Sequence, residues 1–164
     1  MTLLFEALLW LHIVGAIGWI GTSMVFGMVL GPALPSLSPP TRGEFVVKVL
    51  PRIFRFASVF VIVTPLIGLA LALSLSSPTF NAFDPTTQFG RFITAGALLS
   101  IAAWFIFFGI AAPTARKVVR LTQEMVNSQG PPSPDLPRLN ARMRMAGGAG
   151  LFVMLAILVC MVGA

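Results

Sequence analysis

Four apolar runs, each long enough to cross a bilayer as a helix, constrain this chain more than any other feature of its sequence. They extend approximately from Leu3 to Leu30, Phe56 to Leu75, Phe92 to Ala112 and Met145 to Gly163. A hydrocarbon core about 30 Å thick needs roughly 20 residues of helix. Lipid cannot hydrate a backbone amide, so each spanning segment must close its hydrogen bonds internally. The first run carries a single charge, Glu6, near its start, and the other three carry none within these limits. The expected fold is therefore all-α, an integral membrane four-helix bundle forming one domain over residues 1–164, with loops at 31–55 and 113–144. The composition, 57% apolar and 10% charged, and the mean hydropathy of +0.93 are far from soluble averages. The first run is too long for a signal-peptide core, so it is expected to stay as a membrane anchor.

Prolines punctuate the joints. Pro32, Pro35, Pro39 and Pro40 follow the first run, Pro78 and Pro85 separate the second from the third, and Pro113 is expected to close the third. Pro65 lies inside the second run and should kink it. From Glu44 to Arg55 apolar and basic residues alternate in a way that predicts an interfacial helix leading into the second span, its regularity limited by Pro51. The stretch from Ser128 to Pro137 reads as a flexible linker.

Basic residues flank the runs unevenly. Arg42, Lys48, Arg52 and Arg55 lie between the first and second, and Arg116, Lys117, Arg120, Arg138, Arg142 and Arg144 between the third and fourth, leaving Arg91 alone for the other side. The positive-inside rule then predicts cytoplasmic basic loops and extracytoplasmic N and C termini, in the cytoplasmic (inner) membrane of a cell. The net charge of +6 follows this topology and attraction to lipid headgroups, and no basic fold or motif for nucleic acid is present. Expected partners are the lipid bilayer and either other membrane subunits or further copies of the chain. A single cysteine, Cys160, in an apolar run excludes an intrachain disulfide or a CxxC site. No nucleophile with its base, carboxylate pair or phosphate loop is visible.

The only histidine, His12, falls deep in the first run, where an imidazole without a partner costs free energy. Gly15, Ala16, Trp19 and Ser23 share its helical face, so small residues leave room beside the ring for a flat group or a close helix. Counting down each span from the outer side sets Thr64 to Leu66, Ser100 and Met154 at the same depth. Met154 is thereby a candidate second ligand opposite His12, since His with Met is an axial pair for haem iron and can also hold copper. Bis-histidine ligation within one chain is excluded by the count. Three readings of His12 stay open: a haem ligand, a copper or proton site, or a hydrogen bond to a hydroxyl or carbonyl of a neighbouring helix, with Thr64 and Ser100 available and no cofactor at all. Met24 with Met28, and Met143 with Met145, are read as apolar filler more than as copper ligands. Trp104 is read as packing, and Trp19 as packing or cofactor contact. Gly27, Gly31, Gly147, Gly148 and Gly150 suit tight helix crossing. Arg52 and Arg55 can meet a cofactor propionate or a lipid phosphate, or serve only as topological anchors.

The run LeuHisIleValGlyAlaIleGlyTrpIleGly at 11–21, with GlyProAlaLeu at 31–34, resembles the first helix of the copper resistance protein D (CopD-like) membrane family. ArgIlePheArgPheAla at 52–57 and ThrProLeuIleGly at 64–68 are similar to the entry and Thr/Gly pattern of that family's next helix. The spacing of His12 and Trp19 also resembles the short four-helix HemJ-type protoporphyrinogen oxidase of bacteria, although SerMetValPheGlyMetVal here replaces that family's aromatic and basic run after the tryptophan. These resemblances imply a haem-ligand role for His12 and a neighbouring role for Trp19, or copper handling. The expected function is a haem b binding electron-transfer or accessory subunit of a membrane redox complex, cofactor-binding through His12, Trp19 and Arg55, with His12 and Met154 as metal ligands. The alternatives are a CopD-like copper-handling protein and a structural helix-packing subunit.

Overall fold

A computed structural model describes residues 3–77 and 79–164. Pro78, expected to help divide the second span from the third, lies outside the described residues. Four helices are long and apolar enough to cross a membrane: α1 (Leu3–Ser36), α2 (Pro39–Leu75), α3 (Gln88–Ser128) and α4 (Leu136–Gly163). Leu3, Phe105, Phe152 and Val162 all point outward with more than two thirds of their surface exposed. An apolar exterior of this kind is stable against hydrocarbon and not against water, so the chain is a multi-pass membrane protein in form.

The helices outrun the apolar runs that nucleate them. At 37 and 41 residues, α2 and α3 are about 55 and 60 Å long, roughly twice the hydrocarbon thickness. Much of what reads as loop at 31–55 and 113–144 is helix. Pro39–Lys48 packs on Ala112–Ser128, and Gly43 faces Thr122 and Val126 there. The expected interfacial segment is helical on either side of a turn at Val49, two residues ahead of Pro51.

Pro113 does not close the third helix, contrary to the sequence expectation. A proline ring pushes against the carbonyl four residues before it, and here the strain is relieved by a wide turn at Phe105–Ala111, where the Ala112 N–H donates to the Phe107 carbonyl five residues back. The same device precedes Pro32: the turn Val25–Leu30 is wide, and the Gly31 N–H donates to the Phe26 carbonyl. Both helices continue past their prolines. The true break after α1 comes at extended Leu37, and Ser38 then caps α2 by accepting the Thr41 N–H at 3.4 Å. At the end of α3, Gln129 takes the left-handed conformation, φ 50°, and the turn 129–135 leads into α4.

Neighbouring helices are antiparallel. Gly15 meets Thr64, Gly18 meets the Phe60 ring, and Phe26 packs edge-on to Phe54 along the α1–α2 seam. Gly96 meets Met161 and Cys160, and Gly163 meets Phe92, along α3–α4. The core is small: Trp19, Val61, Ala103 and Met154, one from each helix, form a buried cluster ringed by Phe60, Trp104 and Phe107.

Candidate functional site

His12 sits at a close crossing of α1 and α2. Gly15, one turn further on, is hollow enough to accept the Thr64 side chain, and any Cβ there would collide with the Thr64 hydroxyl. On the facing helix Gly68 is the counterpart: a Cβ at that position would lie 2.7 Å from Cε1 of His12. Two glycines thus let the backbones approach, as small residues do in membrane helix pairs. The approach brings His12 Nδ1 to 3.0 Å from the carbonyl oxygen of Thr64. A carbonyl can only accept, so Nδ1 carries the proton, and in the neutral ring Nε2 keeps its lone pair. Among the described residues no hydrogen bond is made at Nε2.

Thr64 therefore shares the depth of His12, as the sequence predicts, but through its carbonyl. Its hydroxyl is buried in the Gly15 hollow with no partner among the described residues. Ser100 does not reach His12; it donates to the Gly96 carbonyl of its own helix at 2.8 Å.

Met154 is not brought opposite His12. It is 5% exposed and lies in the cluster of Trp19, 7% exposed, and Val61. Trp19 is two turns beyond His12, about 10 Å along the helix axis. The offset is between pairs of helices: His12 meets α2 at Thr64 and Gly68, and Gly163 meets Phe92, so each pair is level, but Met154 and Ala103 of α3–α4 lie against Trp19 and Val61 of α1–α2, displaced along the bundle axis. Arg55 is nine residues before Thr64 on α2, about 14 Å along the axis, and lines a separate groove with Arg116 and Arg120. The structure groups Trp19 with Met154, and leaves His12 and Arg55 each in its own neighbourhood.

Sequence reasoning missed two contributors to this region. Trp104 is not only packing, since its indole N–H donates to the Val61 carbonyl. Gly68 holds the imidazole against α2, a role signalled only by its spacing of one turn from Thr64. Towards the basic end, a cavity of about 110 Å³ opens between all four helices. Trp19, Met154 and Met143 line it together with Phe54, which stacks on Phe107 with centroids 5.7 Å apart. His12 does not border it. Gly147 borders this cavity and Gly148 meets no neighbouring helix, while a Cβ at Gly150 would lie 4.0 Å from Ile106. Met24, Met28 and Met145 are exposed on the apolar exterior, and Cys160 is buried as a free thiol.

As a haem site, the residues offer one fit and one mismatch. The anchored Nδ1–H with a free Nε2 is the arrangement by which a backbone carbonyl orients a ligating histidine. The axial partner expected from Met154 is absent at that level. Among the described residues no three of His, Cys, Asp and Glu converge as a metal-ligand group.

Charge is divided between the two ends of the bundle. The ten basic residues of the two long connections share their end with Glu44, Glu124 and Asp135, of which Lys48 pairs with Glu44 at 3.0 Å and Lys117 with Asp135 at 3.1 Å. The opposite end holds Glu6, Asp84 and Arg91. In the 76–87 connection, Asp84 accepts from the hydroxyl of Thr86 at 2.7 Å and from its N–H at 2.8 Å, and these bonds hold its carboxyl below the usual range. Thr87 caps α3 by accepting the Gly90 N–H at 3.0 Å.

Compared with models of known families, with curated proteins and with solved structures, the chain finds no match in any of the three.

Proposed function

We propose that this chain is a haem b binding electron-transfer or accessory subunit of a membrane redox complex. It lies in the cytoplasmic membrane, with its basic loops on the cytoplasmic face and both termini outside. The reading rests on one observation, the 3.0 Å approach of His12 Nδ1 to the Thr64 carbonyl. That bond selects the tautomer and fixes the ring plane from a second helix, leaving Nε2 as the donor atom for iron. Bound haem supplies one-electron chemistry. The chain's own contribution would be a single ligand, the His12 Nε2, held in place by two helices. Outside the apolar layer the chain has only helical extensions and their connections, too small for a separate catalytic domain, which suits a subunit more than an enzyme acting alone.

A packing subunit without cofactor is the second reading, and a specific observation favours it: the Thr64 carbonyl already supplies the partner that a buried imidazole needs. Visible absorption of protein purified in mild detergent separates the two. The haem reading expects a Soret band that His12→Ala abolishes and Met154→Leu leaves in place. No Soret band in the wild type, with the chain copurifying with other subunits, decides for packing. Stoichiometric copper without a Soret band decides for copper handling.

A further inference from the structure

Where α2 and α3 leave the apolar layer at the basic end, a groove of about 750 Å³ lies between them. Its floor includes Phe54, Phe108 and Ala112, and its rim carries Arg55 from α2 with Arg116 and Arg120 from α3. The sequence opens this groove: α2 turns at Val49 ahead of Pro51, and the facing side of α3 offers Ala112 and Ala115, too short to fill the gap. Arg116 and Arg120 are one turn apart and share a face. Among the described residues Arg116 bonds only the Ala112 carbonyl, Nε at 3.4 Å, while Arg120 Nε lies 3.7 Å from the Glu124 carboxylate. Among the described residues Arg120 is the one guanidinium of the three with a carboxylate partner, and that pair is exposed.

The groove crosses the boundary of the apolar layer, with Phe108 below it and Arg116 beyond it. Phe108 is 41% exposed, so the floor is continuous with the lipid-facing exterior and an occupant can enter sideways. Guanidinium groups pair with phosphate oxygens in a bidentate fork, and the floor calls for a hydrocarbon chain beside the anion. We propose that this groove binds one acidic glycerophospholipid of the surrounding leaflet, its phosphate on Arg55, Arg116 and Arg120 and an acyl chain along Phe54 and Phe108. A free phosphate would leave the floor uncovered. The inference is independent of the haem reading, since His12 meets α2 at Thr64, about 14 Å along the axis from Arg55, and does not line the groove.

Electron spin resonance of the full chain in phosphatidylcholine nanodiscs tests it, with spin-labelled phosphatidylglycerol or spin-labelled phosphatidylcholine as the probe. A motionally restricted phosphatidylglycerol component is expected, absent for phosphatidylcholine. Each arginine contributes about a five-fold preference, so the Arg55→Gln/Arg116→Gln/Arg120→Gln variant should lose at least ten-fold in affinity. Ala112→Leu fills the floor without changing charge and should also release the probe. Arg138→Gln/Arg142→Gln/Arg144→Gln removes the same charge from α4 and should leave binding in place. Equal losses in the two triple variants would overturn the proposal in favour of diffuse attraction to a basic surface. Retention of the probe by Ala112→Leu, or its displacement by millimolar inorganic phosphate, would also overturn it.

Discussion

The indole N–H of Trp104 donates to the carbonyl oxygen of Val61, and Val61 is the residue whose helical donor Pro65 removes. In an unbroken helix the N–H of residue 65 would bond that carbonyl; proline has none. Val61 is 0% exposed, so no water or lipid headgroup can replace the lost donor. The neighbouring helix supplies it, which makes a proline in the middle of a span tolerable.

A double-mutant cycle should expose this dependence. Trp104→Phe strands a buried carbonyl and is expected to destabilise by about 1–3 kcal/mol. In a Pro65→Ala background, where residue 65 again has an N–H to give, the same substitution should cost about 1 kcal/mol less. Unfolding in mixed micelles by increasing SDS fraction measures both, and strict additivity would show that the two residues are not coupled.

The glycines at the α1–α2 crossing act as spacers, so adding one methyl group there should be disproportionate. Gly15→Ala and Gly68→Ala are each expected to cost about 1–3 kcal/mol by overpacking. Gly68→Ala should also drive the imidazole off the Thr64 carbonyl. Gly21→Ala, which meets no neighbouring atoms, is the control and should be neutral within about 0.5 kcal/mol. Thermal unfolding in detergent reads the three side by side.

Thr64→Val should be neutral or stabilising, because the hydroxyl it removes is buried without a partner. His12 bonds the backbone at this position, so its hydrogen bond survives the change. A midpoint several degrees lower than wild type would mean that the hydroxyl has a partner after all.

The connection before α3 should loosen in acid. Asp84 has its carboxyl lowered by the Thr86 hydroxyl and N–H, so its contribution to loop order is complete above the unfolded value of 3.8. It is lost as pH falls through the lower, folded value. The protection factor of the Thr86 amide, its exchange rate relative to the intrinsic rate at each pH, should fall as pH drops through that window and stay constant above it. Asp84→Asn should flatten the pH dependence, and a profile unchanged by the substitution would rule Asp84 out as its source.

The existence and number of the spans, the kink-prone proline at 65 and the division of charge between the two ends all follow from the sequence. Each is a local matter: a residue either can or cannot sit in hydrocarbon, and a proline either has or lacks an N–H. That His12 needs company was legible for the same reason, and Thr64 was among the residues placed at its depth. Helix extent was less legible. Pro113 reads as a stop, yet a wide turn at Phe105–Ala111 absorbs it, and the extension past it is held by packing on Pro39–Lys48.

What only the tertiary structure decided is the stagger between helices and the choice of atom at each contact. Counting residues inward from each end assumes level ends, and on that assumption Met154 faces His12; packing sets it beside Trp19 instead. No rule of composition fixes how far one helix slides past its neighbour. The hollows at Gly15 and Gly68 hold α1 and α2 at the counted level, and it is the packing of Ala103 and Met154 against Trp19 and Val61 that slides the α3–α4 pair along the first.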